Sequence, residues 1–173
     1  MIETIKANDL VLPPVDTWFS RWFVLTAGDM QKFNSMTVAW GSIGGIWEMP
    51  FVQVVVRPTR HTFGFLNEST GFTLCSFPAK YRKDLGILGS KSGRDVDKIA
   101  LTRLTPAKSE KVAAPSFAEA DLVFECRKIY WQDLDPEHFL SERIMPNYPQ
   151  RDFHRVFFGE ILRIRGSAEF QKK

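Results

Sequence analysis

Residues 33–41, Phe33-Asn34-Ser35-Met36-Thr37-Val38-Ala39-Trp40-Gly41, alternate between two unlike sets of side chains. In an extended chain Met36, Val38 and Trp40 point one way, while Ser35, Thr37, Ala39 and Gly41 point the other. Period-two alternation predicts a strand, not a helix. Outward from it the same signal recurs. Trp18 to Thr26 sets Phe19, Phe23 and Leu25 against Ser20, Trp22 and Val24, followed by the turn residues Ala27-Gly28-Asp29. Ser42-Ile43-Gly44-Gly45 reads as a loop, and Phe51 to Val56 as an almost unbroken apolar central strand closed by Pro58. Phe72 to Phe77 is a further strand and Ala107 to Val112 a weak one. Asp121 to Trp131 places Leu122, Phe124, Cys126 and Tyr130 opposite Asp121, Glu125 and Arg127. The last strand runs from about His154 to Arg165.

Helical signals are short. Thr59 is a candidate cap for a helix through Glu68 that stops near Gly71. Tyr81, Leu85 and Leu88 have helical spacing up to Gly89. Asp95 would cap a helix over Val96 to Ala100, and Asp135-Pro136-Glu137 begins another. Strands dominate, with no regular strand–helix alternation, which argues against a doubly wound parallel sheet. The expectation is a mainly β protein: an antiparallel barrel with short helical insertions.

The chain has 173 residues, enough for a single domain. Residues 1–16 are polar, end in Pro13-Pro14 and read as a lead-in, with one domain over 17–173. A net charge of +3 is too small to point to nucleic acid or an anionic membrane, and neither is expected as a partner. Cys75 and Cys126 both lie in apolar runs and are expected as buried thiols, not a bridge. Without a signal-peptide pattern at the start, or an apolar run of about 18 residues, a cytoplasmic location is expected. Aromatic residues make up 13% of the chain, a supply of flat faces to bury or to offer a flat ligand.

Several chemistries lack their motifs. Three histidines without a His-x-x-x-His spacing, and no Cys-x-x-Cys, leave no zinc site to expect. There is no Gly-x-Ser-x-Gly elbow and no Gly-x-Gly-x-x-Gly, and Gly89-Ser90-Lys91-Ser92 has the wrong order for a Walker loop. Three segments remain. The small-residue face of 34–41 would let a flat ring approach backbone N–H and C=O groups, although the same pattern arises on a strand half exposed to water. Arg57-Pro58-Thr59-Arg60-His61-Thr62 gathers cations and hydroxyls at a helix start, an anion site or a solvated helix end. Ser90 to Lys98 offers hydroxyls, Gly93 and three cations, or a plain surface loop. Jointly they suggest a ligand with one flat polar ring and one phosphate, the shape of flavin mononucleotide (FMN).

The series Asn34-x-Met36-Thr37-x-Ala39-Trp40, Arg57-Pro58-x-Arg60-x-Thr62, Ser92-Gly93-Arg94-Asp95-x-Asp97-Lys98, Glu125-Cys126 and His154-x-x-Phe157-x-Gly159-Glu160 resembles the flavin reductase-like family. More narrowly, it resembles the flavoredoxin-type branch. The resemblance implies an FMN-binding split β-barrel, usually a homodimer. It places Asn34, Ser35, Met36, Thr37, Val38, Ala39 and Trp40 along the isoalloxazine ring. Arg57, Arg60 and Thr62 fall near the ribityl phosphate, with Ser92, Gly93 and Lys98 near the same tail. His154 falls near the open face of the ring or serves as a structural histidine. Cys75-Ser76-Phe77-Pro78 departs from the commoner strand end of the family.

The activity so implied is hydride transfer from NADH or NADPH to flavin N5. Such a transfer needs stacking and exclusion of water and no catalytic base. Two other readings stay open: an electron carrier between protein partners, and a barrel without flavin.

Overall fold

The computed structural model describes residues 2–172, so the ends of the expected lead-in and domain, Met1 and Lys173, lie outside the described residues. Its strands are β1 (Glu3–Ile5), β2 (Phe23–Gly28), β3 (Phe33–Val38), β4 (Gly41–Ile46), β5 (Met49–Val56), β6 (Gly71–Ser76), β7 (Pro106–Ala107), β8 (Ser116–Phe117), β9 (Leu122–Asp133) and β10 (Arg155–Gly166). The helices are α1 (Pro14–Asp16), α2 (His61–Glu68) and α3 (Arg82–Ser90). One antiparallel sheet runs β3-β2-β6-β9-β10-β5-β4, with β1 added to the far half of β10 and β7-β8 forming a separate pair. Among the described residues no helix is long and apolar enough to cross a membrane.

The sheet curls around one core. Phe23 and Leu25 of β2, Val52 and Val54 of β5, Phe72 and Leu74 of β6, and Phe124 of β9 meet inside it, all fully buried. Burying each such side chain contributes about 1.5–3 kcal/mol. The opposite face of β2 and β6 presents Val24 and Cys75 to α3, which covers them with Leu85 and Leu88. Strands β3 and β5 share the core but no hydrogen-bonded ladder, so the barrel is open between them. That gap positions the site.

The mainly β architecture agrees with the sequence pattern, and the boundaries differ where tertiary contacts decide. The chain at 18–22 is not a strand. Thr17 Oγ1 donates to the Pro13 carbonyl at 2.6 Å, holding a helical turn over Thr17–Arg21. Trp18 thereby enters the core against Phe23, and Phe19 faces solvent. Trp22, at φ +64°, re-aims the chain into β2. Gly41–Ile46 is a strand rather than a loop, because it pairs with β5 through a two-residue turn at Trp47-Glu48, both at positive φ. Helix α2 starts at His61, with Arg60 and not Thr59 in the cap position.

No helix forms over 96–100, where the Asp97 carboxylate instead accepts from the Ile99 and Ala100 N–H groups in a tight turn. The weak strand at 107–112 shrinks to β7, and Asp135 caps only a short turn over Pro136–His138. The lead-in itself joins the sheet through β1.

Strand β9 departs from simple alternation twice. An extra residue between its pairings with Gly159 and Phe158 moves Tyr130 to the outer face. Glu125, on the expected polar face, is fully buried because residues 105–117 fold over it. Its Oε2 accepts from the N–H groups of Glu110 and Lys111 at 2.9 and 2.6 Å. Gly159 has a packing reason: a Cβ there would lie 2.5 Å from the Phe72 ring.

Candidate functional site

Strand β3 is a terminal strand of the sheet, so one of its backbone edges has no strand partner. The turn bond from Asp29 N–H to the Lys32 carbonyl sets the phase of the β2–β3 ladder. By the alternation of antiparallel pairing, Ser35 and Thr37 turn their backbone groups away from β2. One of these groups is engaged: the Lys98 ammonium donates to the Ser35 carbonyl.

The side chains of this strand have other duties than the sequence suggested. Met36 and Val38 sit in the core. The Ser35 and Thr37 hydroxyls are engaged within the protein. Ser35 Oγ lies 2.8 Å from Thr26 Oγ1, and Thr37 Oγ1 donates to the Leu85 carbonyl at 2.5 Å. The small face is small because α3 packs onto it, with Gly89 over Thr37. Beyond β3 the chain continues through Ala39 and Trp40, which also line the cleft described next.

Two cavities follow the free edge of β3. The first, of about 250 Å³, is lined by Thr37, Ala39, Trp40, Val55, Arg57 and His154, and fills the gap in the barrel. The Trp40 and His154 rings lie 5.2 Å apart along it. His154 Nδ1 is 2.8 Å from the Tyr148 hydroxyl. Burial, and then the Arg57 charge, pull its pKa down to about 4, so the imidazole is neutral at neutral pH. Arg57 is committed to this cavity. It pairs with Asp152 at 2.6 Å, donates to the Asn147 carbonyl at 2.7 Å and stacks over Tyr148.

The second cavity, of about 110 Å³, is lined by Arg60, Thr62, Ser92, Gly93, Arg94 and Lys98, and shares Met36 with the first. Asn34 Nδ2 donates to Thr62 Oγ1 at 2.6 Å. A Cβ at Gly93 would lie 2.2 Å from Asn34 Oδ1 and 3.1 Å from the His61 ring, so a side chain here would have to displace the Asn34 amide. Lys98 is 5% exposed, and its ammonium donates to the Ser35 and Leu88 carbonyls. Arg60 donates to the Gly89 carbonyl at 2.6 Å.

Among the described residues neither Arg60 nor Lys98 forms an ion pair. Burial and then the nearby Arg60 charge lower the Lys98 pKa to about 8. Burial and then Arg57 lower that of Arg60. Two crowded cations, one of them buried, without a carboxylate leave positive charge that an anion could neutralise.

The structure thus brings Asn34, Arg60, Thr62, Ser92, Gly93 and Lys98 into one cradle. Ala39, Trp40, Arg57 and His154 meet in the neighbouring cleft. Arg57 and Arg60, grouped by the sequence, face different cavities, because Asp152 draws Arg57 across the chain. Tyr148, Asp152 and Val55 join the cleft without a signal in the sequence. Tyr148 and Asp152 lie in a loop with no periodic signal, and Val55 reads as an ordinary strand residue.

Residues 19–172 match the family model described as flavin reductase like domain. Among solved structures, flavoredoxin of Desulfovibrio vulgaris (Miyazaki F) has a TM-score of 0.67 at 23% identity, over 98% of this chain and 78% of that one. An FMN-binding protein from Thermus thermophilus, with p-hydroxybenzaldehyde bound, has 0.69 at 19% identity, covering 92% and 79% of the two chains. An NADH:FAD oxidoreductase of Streptomyces globisporus has 0.62 at 18% identity, covering 83% and 74%. A search of curated protein sequences returned no match. The open barrel is the split barrel of these structures. With a model spanning nearly the whole chain, this protein belongs to the flavin reductase like domain family.

Proposed function

We propose that this protein binds FMN and works as an NAD(P)H-dependent flavin reductase. The observation that carries the reading is the carboxylate-free pair of the half-buried Arg60 and the buried Lys98, set beside the unpaired edge of β3. A phosphate is the anion such a cradle fits, and Asn34, Thr62 and Ser92 add neutral donors. The backbone of Thr37 and Ala39 offers hydrogen bonds to the polar edge of a flat ring. Trp40 and Val55 exclude water from its faces, and His154 supplies a neutral hydrogen-bonding group. Bound there, the flavin would supply hydride acceptance from a nicotinamide. The Thermus and Streptomyces relatives, named for FMN binding and for NADH:FAD oxidoreduction, support this direction.

The working unit in this reading is a homodimer. On the outer face of β4, β5, β9 and β10, Phe51 stacks on Phe158 at 5.4 Å, and Trp47 and Tyr130 meet at 6.0 Å. Trp47 is 56% exposed and Tyr130 41%. Such an aromatic patch on a small domain suits a second copy. The two buried free thiols suit a reducing, cytoplasmic setting.

The deciding experiment is purification followed by a nucleotide screen. A yellow protein with absorbance near about 370 and 450 nm, oxidising NADH or NADPH when FMN is added, is the expected result. Bound flavin that cycles with dithionite but with neither nucleotide would replace the reductase reading by the carrier between protein partners. A protein that binds no flavin would overturn both.

A further inference from the structure

The sheet ends on β3 at one side and on β4 at the other. The edge of β3 belongs to the site above, and that of β4 has no part in it. Strands β4 and β5 join through the two-residue turn at Trp47-Glu48, so Ile46 and Met49 form a hydrogen-bonded pair and the pairs alternate from there. Gly45–Pro50 and Ile43–Val52 are then the pairs without ladder bonds, which agrees with Pro50 having no N–H. Ile43 and Gly45 thus turn their N–H and C=O groups outward, and among the described residues no other hydrogen bond takes these groups up. Sheets usually blunt such an edge with a charged side chain, a proline or a covering segment. Gly41-Ser42-Ile43-Gly44-Gly45-Ile46 carries neither charge nor proline. Gly45 is exposed, its φ is not positive, and a Cβ there would meet nothing nearer than the Met49 carbonyl oxygen at 4.0 Å. Neither strain nor packing requires glycine at this place, whereas the close approach of another backbone does.

Beside this edge lies a cavity of about 510 Å³. Leu10 and Leu12 of the lead-in, Trp18, Met49, Ile161 and Ile164 give it apolar walls, and Ile43 and Gly45 line it as well. Its one ionisable lining residue is the exposed Glu48 of the turn. Pro50 lines this cavity and Val55 the cleft by β3, about 17 Å apart along β5.

We infer that β4 and this cavity form a docking site for an extended segment of a partner protein, which joins the sheet as an added strand. The free groups of Ile43 and Gly45 stand two residues apart, a spacing that an extended backbone matches and a compact apolar molecule does not. Every second side chain of the added strand enters the cavity, so those side chains are apolar. The Glu48 carboxylate, with no cation lining the same space, selects a lysine or arginine beside them. The occupant is therefore an apolar and basic segment. The inference stands apart from the flavin reading, since the two sites lie at opposite ends of β5.

The test pans random heptapeptides displayed on phage against the wild-type protein, with Gly45→Pro as counter-target, and titrates the enriched sequences as synthetic peptides. Proline at 45 removes an outward N–H and no bond to β5, because the pair with Pro50 makes none. The enriched peptides are expected to alternate apolar residues and to carry Lys or Arg. They should bind Gly45→Pro about tenfold more weakly, and Glu48→Lys should weaken them as well. In the wild type, the Ile43 and Gly45 amides should shift in the ¹⁵N spectrum and gain protection from exchange when a peptide binds. No enrichment over the counter-target, or peptides that bind Gly45→Pro equally well, overturns the docking site. Binding that Glu48→Lys leaves unchanged overturns the basic character of the occupant. If the unliganded protein is a dimer that already protects these two amides, and Gly45→Pro dissociates it, the edge belongs to a second copy and the inference falls. Should Gly45→Pro not fold, the wild-type amides decide: enriched peptides that leave Ile43 and Gly45 unmoved overturn it.

Discussion

Tyr148 Oη lies 2.8 Å from His154 Nδ1, in a loop and at a strand entrance that have no sequence signal in common. The Arg57 guanidinium lies 4.9 Å from the Tyr148 ring centroid, so one cation, one phenol and one imidazole form a stack beside the cleft. This stack keeps His154 neutral and fixed, and it separates the duties of the two arginines.

Arg57 should control the titration of His154. Burial is the larger cause of the low pKa of about 4, Arg57 the next, and Asp152 opposes both. Arg57→Ala should therefore raise that pKa toward 6.5, as read from the imidazole proton shift by NMR. An unchanged midpoint would show that burial alone sets it.

The same group makes stability sensitive to acid. The fold disfavours the imidazolium, so the unfolded chain, titrating near 6.5, takes up the proton first. The contribution is complete above about pH 6.5 and is lost as the pH falls toward 4. Denaturant titrations at intervals across that window should show a steeper loss for the wild type than for His154→Gln. Parallel curves would remove His154 as the cause.

Arg60 and not Arg57 should discriminate phosphate. Arg60→Ala loses a charge-assisted contact of about 1.5–3 kcal/mol and should weaken FMN tenfold or more, with riboflavin little affected. Arg57→Ala should change both ligands alike, since its partner is Asp152. The reverse pattern in a fluorescence titration would move the phosphate site to the cleft.

Lys98 should make FMN binding pH-dependent on the alkaline side. Its ammonium has a pKa of about 8 in the free protein, and a phosphate favours the charged form. The FMN dissociation constant should rise as the pH passes about 8 and that of riboflavin should stay level. The same group adds stability as the pH climbs from about 8 toward 10.5, because there the unfolded chain holds the extra proton. A flat FMN profile from pH 7 to 9.5 would exclude Lys98 from the contact.

Gly93→Ala should damage the cradle locally. The new methyl group collides with Asn34, whose bond to Thr62 must then break. Overpacking of this kind costs about 1–3 kcal/mol, so a lowered melting temperature with reduced FMN retention is expected. Full stability with full retention would mean that the loop moves freely.

The class of the fold, and the residue types that gather around Arg60 and Lys98, are legible in the chain alone. Alternation in β2, β3 and β9 is a local property, since a pleated chain must put every second side chain on one face. Arg60, Thr62, Ser92, Gly93 and Lys98 lie in two short polar segments, each readable alone. Contacts between distant parts of the chain set the rest. Thr37 borders the cleft, yet α3 packs on it and takes up its hydroxyl, because the pattern of one strand does not say what covers it. Trp18 alternated like a strand residue, yet a cap from Thr17 to Pro13 turned it into the core. Arg57 and Arg60 are three residues apart and serve different cavities, since Asp152 reaches Arg57 from 95 residues away. Pairings at that separation depend on the closure of the whole sheet, and no local spacing encodes them.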